Sequence, residues 1–234
     1  MTHLFLGILA GLQSEARCLA GFLPPPSGRF ASLMLLSGAR PELARRQALR
    51  LVDQGATHLL SFGLCGGLDP ALNAGALILP ETILAPDGST YAVDPAWRIR
   101  AASLLDEFRP SNGCIAGWDA VMATPTDKAA CRARTGAVAV DMESHILAAV
   151  AAERGLPFLA ARVVIDGAEE ILPPAATSAV TAEGGTSLKA VLASVLKHPS
   201  QIPALIRLGR ANAGAGKVLL GCGRRGGASG IGLV

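Results

Sequence analysis

The chain has 234 residues, of which half are apolar and only 4% are aromatic, and its formal net charge is +3. This length is enough for one large α/β domain with a core of its own, and the few aromatic side chains argue against nucleic-acid binding by base stacking. The five cysteines form no CxxC pair and the four histidines are isolated. We therefore predict no disulfide framework, no metal site and no cofactor, and we expect a reducing, cytoplasmic setting.

The N-terminal part of the chain predicts a strand followed by a helix. Leu4–Ala10 is an apolar run typical of a buried strand, and no basic segment precedes it as in a signal peptide. Gly11 predicts a turn, after which a helix begins at Gln13 and ends near Gly21. Glu15 lies in the first turn of this helix, where a carboxylate either complements the helix dipole or serves the function.

A strand, a helix and a second strand lead to a glycine-rich segment. Residues 30–36 predict a strand, residues 41–55 a helix that begins at a proline and ends at a glycine, and residues 58–62 another strand. Arg40 precedes the helix, where an anion could bind. Residues 63–67 contain three glycines and predict a loop whose backbone approaches a ligand closely, although tight turns use the same residues.

The middle of the chain alternates short apolar runs with loops. We predict a strand at 76–79, a loop-rich stretch at 80–95, a helix at 96–108, a strand end and loop at 117–122, and a short helix at 126–134.

The stretch from Val138 to Asp166 predicts a βαβ unit. A strand at 138–140 precedes an Ala/Leu-rich helix, and a second strand begins at Phe158 and ends on Asp166. We expect the two strands to be parallel. Glu143 and Asp166 then both follow carboxyl ends of strands, where α/β sheets bind ligands. The alternatives are a helix cap for Glu143 and a solvated loop charge for Asp166.

The C-terminal part of the chain is basic and becomes rich in glycine. Helices are predicted at 187–196 and 202–208, and from residue 211 we expect a poorly ordered or surface-lying tail. The predicted division is thus a domain at 1–210 and a tail at 211–234. No apolar run is long enough to span a bilayer. From residue 189 onward the chain has no acidic residue and seven basic ones, which predicts contact with an anionic surface: Lys189, Lys197, Arg207, Arg210, Lys217, Arg224 and Arg225.

Several short motifs occur in an order that resembles one enzyme family. They are GILAGLQSEA, SGARPELA, SFGLCGGLDPALNAGALILPE, VAVDMES and RVVID. Over residues 3–170 the chain resembles the family-1 purine nucleoside and uridine phosphorylases and the methylthioadenosine/S-adenosylhomocysteine nucleosidases. Within that family it looks most like the hopanoid-associated branch, because it contains GWDAVMATPTDKAA, VAVDMESH and HPSQIPALIRLGR.

This resemblance implies a fold and a reaction. The fold would be a single three-layer α/β/α domain around a mixed, partly barrel-like sheet. The reaction would be cleavage of the N-glycosidic bond of a nucleoside, with adenosylhopane as the implied substrate and a methylthioadenosine-type or general purine nucleoside as the alternative. Relatives form homo-oligomers. A lipid-linked substrate would favour peripheral contact with the inner membrane.

The resemblance also assigns residues to roles. Glu143 matches the carboxylate that binds the ribose hydroxyls, and Met142 the residue that packs under the sugar. Asp166 matches the acid that protonates purine N7. Glu15 matches the carboxylate that positions the attacking water, with Arg162 beside that water. Four further positions are expected to contact the substrate: Cys65, Gly66, Val121 and Met122.

Some positions depart from the family pattern. Ser61 and Leu64 stand where the phosphorylases have phosphate ligands, which favours water as the nucleophile and leaves phosphate open if Arg17 or Arg40 binds it. Val121 replaces an aromatic residue over the adenine, with Trp118 nearby as a substitute. Ile165 replaces a serine whose hydrogen bond would orient Asp166. These departures would also suit a binding protein without turnover. A dinucleotide-binding protein is disfavoured, because no G-x-G-x-x-G follows the first strand.

Overall fold

A computed structural model describes residues 4–23, 30–174 and 201–234. The helix predicted at 187–196 and the basic residues Lys189 and Lys197 lie outside these ranges. The strands in this part of the chain are β1 (Leu4–Ala10), β2 (Phe30–Leu36), β3 (His58–Gly67), β4 (Leu77–Ile78), β5 (Thr82–Leu84), β6 (Thr90–Ala92), β7 (Cys114–Gly117), β8 (Ala139–Asp141) and β9 (Phe158–Asp166). Within the described ranges the α-helices are α1 (Gln13–Ala20), α2 (Pro41–Asp53), α3 (Pro95–Leu104), α4 (Pro125–Thr135), α5 (Ser144–Arg154) and α6 (Ile202–Gly226), with 3-10 turns at Asp106–Phe108 and Gly227–Ser229.

The strands form one mixed sheet that is covered by helices on both faces. Its order is β2-β1-β3-β8-β7-β5-β6, and β9 pairs with both β3 and β4. Side chains alternate along β9: Ala160 and Val164 pack in a core with α2 and α5, whereas Leu159 and Val163 pack in a second core with α1, α3 and α6. The predicted α/β domain with a mixed central sheet is confirmed.

Two stretches predicted as loops contain strands. β3 continues through the three glycines to Gly67, because β9 and β8 pair with that segment. The loop-rich stretch at 80–95 contains β5 and β6, which form an antiparallel pair. In both cases, pairing with neighbouring strands stabilises a strand in a segment whose local sequence pattern predicts a loop.

The prediction that the strands flanking α5 are parallel is wrong. β8 pairs with β3 in antiparallel fashion, whereas β9 pairs with β3 in parallel fashion. Gly66 of β3 is the partner both of Val140 in β8 and of Asp166 in β9. The ends of β8 and β9 therefore meet at the same part of β3, which brings their carboxylates together although the strands run in opposite directions.

A β-bulge lies directly before Asp166. Cys65 pairs with Val164 and Gly66 pairs with Asp166, so Ile165 is the extra residue of β9. Successive side chains of a regular strand point to opposite faces. Here Ile165 and Asp166 line the same cavity, because a bulge redirects the side chains around it.

The glycine-rich C-terminus is a packed helix, and the expectation of a poorly ordered or surface-lying tail is wrong for these residues. α6 runs without a break across position 211, and its Ala215, Leu219 and Cys222 are buried in the core. Its glycines allow close packing: a Cβ at Gly223 would lie 2.0 Å from the carbonyl oxygen of Cys18 in α1. Among the described helices, none combines the length and apolar character needed to cross a membrane.

Candidate active site

A cavity of about 200 Å³ lies where β3, β8 and β9 end and α1 begins. Its wall is largely apolar and includes carboxylates from separate parts of the chain. Of the nine residues assigned from the sequence, eight line it: Glu15, Cys65, Gly66, Val121, Met122, Met142, Glu143 and Asp166. Arg162 does not.

Glu15 is a buried carboxylate held by two backbone amides. The amide of Leu12 donates to Oε2 at 2.8 Å and the amide of Leu64 donates to Oε1 at 2.8 Å. A Cβ at Gly63 would lie 2.7 Å from the Glu15 carboxyl carbon. The missing side chain of Gly63 thus makes room for Glu15, whereas the sequence predicted that this glycine makes room for a ligand.

Glu143 occupies the N-cap position of α5 but its side chain does not cap the helix. Its Oε1 accepts a hydrogen bond from Ser37 Oγ at 3.2 Å, and its Oε2 lies 3.3 Å from Nη1 of Arg162. Asp141 provides the cap instead, because its Oδ1 accepts from the amides of Glu143 and Ser144 at 3.3 and 3.0 Å. The cap alternative for Glu143 is therefore wrong, and this carboxylate faces the cavity.

Arg162 lies behind the cavity wall and is fully buried. Its Nε lies 2.8 Å from Asp141 Oδ2 and its Nη2 donates to Ser61 Oγ at 2.5 Å. Its Nη1 donates to the carbonyl oxygen of Leu64 at 3.2 Å and lies 3.3 Å from Glu143. Arg162 thus lies behind the carboxylates with which it pairs, and its expected place beside an attacking water stays a prediction.

This cluster contains more carboxylates than cations. Burial raises the pKa of Glu143 to about 7, with Arg162 opposing that rise and Asp141 and Glu15 adding to it. Burial likewise raises the pKa of Glu15, against the nearby charge of Arg162. Near neutral pH the cluster can therefore both accept and donate hydrogen bonds, which suits sugar hydroxyls or a water molecule.

Asp166 forms a second, separate charged group. It is buried and ion-paired with Lys128 of α4, which is itself fully buried. Burial raises the pKa of Asp166, and Lys128 opposes that rise. The solvated-loop alternative for Asp166 is wrong. Lys128 was not identified from the sequence, because nothing local to position 128 indicates a partner at position 166.

The remaining wall is apolar and open at one side. Val121 is 47% exposed. Trp118 does not line the cavity; its ring lies 4.8 Å from the guanidinium carbon of Arg134, so it does not replace an aromatic residue there. Burial raises the pKa of Cys65 well above that of a free thiol, which keeps this side chain uncharged.

The positions considered for phosphate binding provide no cation to the cavity. Ser61 is buried and hydrogen-bonds Ser144 and Arg162. Arg17 and Arg40 are exposed outside the wall, and no Lys or Arg of the described ranges lines it. The described residues also contain no group of three His, Cys, Asp or Glu side chains that could hold a metal ion.

Comparison with solved structures shows a shared fold. A 5′-methylthioadenosine/S-adenosylhomocysteine nucleosidase from S. pneumoniae superimposes with a TM-score of 0.69 at 16% identity, covering 95% of this chain and 99% of that one. The Helicobacter pylori nucleosidase gives 0.67 at 17% identity, with 87% and 99% covered. Futalosine hydrolase of Helicobacter pylori gives 0.65 at 16% identity, with 89% and 98% covered.

A search of curated proteins finds no match to this sequence. A family model described as the Phosphorylase superfamily matches residues 33–197, more than half of the chain. The predicted family is thereby confirmed at this level, and the hopanoid branch stays a prediction. The chain is a member of the phosphorylase superfamily of enzymes.

Proposed function

We propose that this protein cleaves the N-glycosidic bond of a purine nucleoside and releases adenine. The observation that carries this proposal is the arrangement of two buried charged groups in one apolar cavity. The first group consists of Glu15 and Glu143, with Arg162 behind them. The second group consists of Asp166 and Lys128. A nucleoside has its sugar and its base on either side of the bond to be broken, so it matches a site with two distinct polar ends.

The sugar would occupy the Glu15 and Glu143 end. Breaking the bond creates a sugar with oxocarbenium character, which nearby carboxylates stabilise. Glu143 would accept hydrogen bonds from the ribose hydroxyls, and Glu15 would position the nucleophile. Met142 offers an apolar surface under the sugar, and Arg162 keeps the carboxylates in place from behind.

The base would occupy the Asp166 end. A purine leaves more readily when N7 is protonated, and a buried carboxylic acid with a raised pKa suits that task. Cys65, Gly66, Val121 and Met122 would provide the apolar contacts to the ring.

Water is the proposed nucleophile. Phosphate would need cationic ligands or several donors, and no Lys or Arg of the described ranges lines the cavity. A phosphate ion would also meet the negative charge of Glu15 and Glu143.

Adenosylhopane is the substrate that we propose within this class, on the basis of the sequence resemblance. Its lipid part would remain in a bilayer, and α6 offers a surface that could contact one, since Ile202 and Ile206 are 43% and 51% exposed beside the basic Arg207 and Arg210. We also propose a homo-oligomer, in which a second copy would cover the exposed rim at Val121.

The proposal is tested by incubating the protein with adenosine, 5′-methylthioadenosine and adenosylhopane, with and without phosphate, and identifying adenine and the sugar product by mass spectrometry. We expect adenine and a free sugar at zero phosphate. Asp166→Asn should lower turnover by roughly 10²–10⁴-fold with the fold retained, whereas the control Asp69→Asn, which changes a carboxylate outside the cavity, should not. No adenine from any of the three substrates would contradict the proposal, and a sugar 1-phosphate formed only with phosphate would contradict the nucleophile.

A further inference from the structure

Lys128 is a fully buried lysine whose three ammonium protons all have acceptors. Its Nζ donates to Asp166 Oδ2, to the carbonyl oxygen of Gly167 at 2.7 Å and to that of Glu170 at 3.1 Å. A buried ammonium is costly unless it is paired and hydrogen-bonded. Complete satisfaction of its donors explains how α4 can carry this charge into the interior.

Lys128 fixes the position of Asp166 within the cavity wall. Ile165, the preceding residue, has no side-chain group that could hydrogen-bond the carboxylate. With Oδ2 bound to Lys128, Oδ1 is the carboxylate oxygen that would meet a ligand in the cavity that Asp166 lines. The same ammonium holds two carbonyls of the loop after β9, and this loop leads to Leu172, which also lines the cavity.

We propose that Lys128 is a positioning residue that also shares its proton with Asp166, so that the pair rather than the carboxyl group alone is the acid that the departing base meets. This inference rests on the proposed function. In the resting state the pair contains one transferable proton, held by Lys128 or Asp166, and is neutral overall. As the C1′–N9 bond breaks, its electrons pass to the purine and the proton passes from Asp166 to N7. Lys128 is then neutral and Asp166 ionised; the attacking water forms the new C1′–O bond, and the proton that it loses returns to the pair.

The shared proton has a consequence that a structural ion pair would lack. An isolated carboxyl group loses its proton once the pH exceeds its pKa. The pair as a unit keeps its shared proton over a wider range of pH, because coupled groups titrate together. Activity should therefore persist to a higher pH with Lys128 than without it.

Three variants separate these possibilities. Lys128→Met removes the charge, and Lys128→Arg keeps the charge but cannot release a proton. Arg132→Met is the matched control, one turn further along α4, where Arg132 lies 3.1 Å from Asp69 away from the cavity. For each folded variant, kcat/KM for adenine release is measured from pH 5 to pH 9, and the Asp166 carboxyl carbon is titrated by ¹³C NMR.

We expect the alkaline limb of the pH profile to move to lower pH in both Lys128 variants, with a loss of at least about 10²-fold at pH 8. The Asp166 carboxyl group should titrate at higher pH in Lys128→Met, because a neighbouring cation is lost. Arg132→Met should stay within about twofold. A wild-type alkaline limb in either Lys128 variant, or an unchanged Asp166 titration in Lys128→Met, overturns the inference. If the wild-type protein releases no adenine, the proposed function fails, and the titration alone decides whether Lys128 controls the Asp166 proton.

Discussion

Gly11→Ala should lower activity through the two carboxylates that contact this position while leaving the fold intact. A Cβ at Gly11 would lie 2.9 Å from Glu143 Oε1 and 3.1 Å from Glu15 Oε2. Non-bonded heavy atoms prefer separations of about 3.5 Å or more, so both carboxylates must move by roughly half an ångström. A misplacement of about 1 Å can reduce turnover by about 10²-fold, and we therefore expect a loss of about 10-fold in kcat/KM.

The effect on stability should not exceed the loss of one hydrogen bond. The atoms that must move are the ends of flexible side chains, and the hydrogen bond from Ser37 to Glu143 at 3.2 Å is the contact most at risk. Loss of one such bond lowers the free energy of unfolding by about 1–3 kcal/mol. For a chain of this size, each kcal/mol lowers Tm by roughly 2–4 °C. Gly21→Ala is the matched control, because a Cβ there meets nothing within 4 Å.

The assay is adenine release by wild type, Gly11→Ala, Glu143→Gln and the double variant. If Gly11→Ala acts by displacing Glu143, its effect should shrink in the Glu143→Gln background, since interacting positions are not additive. Unchanged kcat/KM in Gly11→Ala, or fully additive losses in the double variant, would refute the reasoning.

Three further predictions concern Glu143 and α6. Glu143→Gln should impair a ribonucleoside more than its 2′-deoxy analogue, because a hydroxyl partner is lost; equal losses in kcat/KM would argue against ribose binding. Burial raises the pKa of Glu143 to about 7, so between about pH 4.5 and 7 the folded protein binds more protons than the unfolded chain. The free energy of unfolding should therefore fall as the pH rises through that range. Because glutamine does not titrate, the Tm of Glu143→Gln minus the Tm of wild type should increase from pH 5 to pH 7. Gly223→Ala should destabilise the protein, because its Cβ would lie 2.0 Å from the Cys18 carbonyl oxygen. In the same helix, a Cβ at Gly216 meets nothing within 4 Å, so Gly216→Ala should raise the free energy of unfolding by about 0.5–1 kcal/mol. Urea unfolding measures both changes.

Local sequence signals located the carboxylates well because each one follows a strand with a clear boundary. The apolar run before Asp166 and the helix-ending Gly155 define β9 and α5 without any tertiary information. The direction of β8 could not be found in this way, since a strand–helix–strand pattern does not say which neighbours the strands choose. β3 provides those neighbours, and its pairing with β8 and β9 is a long-range property.

The segments that the sequence misassigned are rich in glycine. Glycine has low intrinsic preference for helices and strands, so local reasoning assigned residues 63–67 to a loop and residues 211–234 to a tail. In both cases the absent side chain permits a close contact, between Gly63 and Glu15 and between Gly223 and Cys18. Lys128 could not be identified from local patterns for a different reason, because its ion-pair partner lies 38 positions away in the sequence.

The two charged groups make one end of the cavity more negative than the other, which suits heterolysis of a glycosidic bond. At one end three carboxylates face the single charge of Arg162, and at the other end Lys128 and Asp166 balance each other. In the proposed reaction, positive charge develops on the sugar and negative charge on the base as the bond breaks. The excess of carboxylates would stabilise the first and the proton of the Lys128–Asp166 pair would neutralise the second. Because the wall between them is largely apolar, both interactions would act with little screening by solvent. The same charge separation would give little help to a reaction that develops no opposite charges across the cavity.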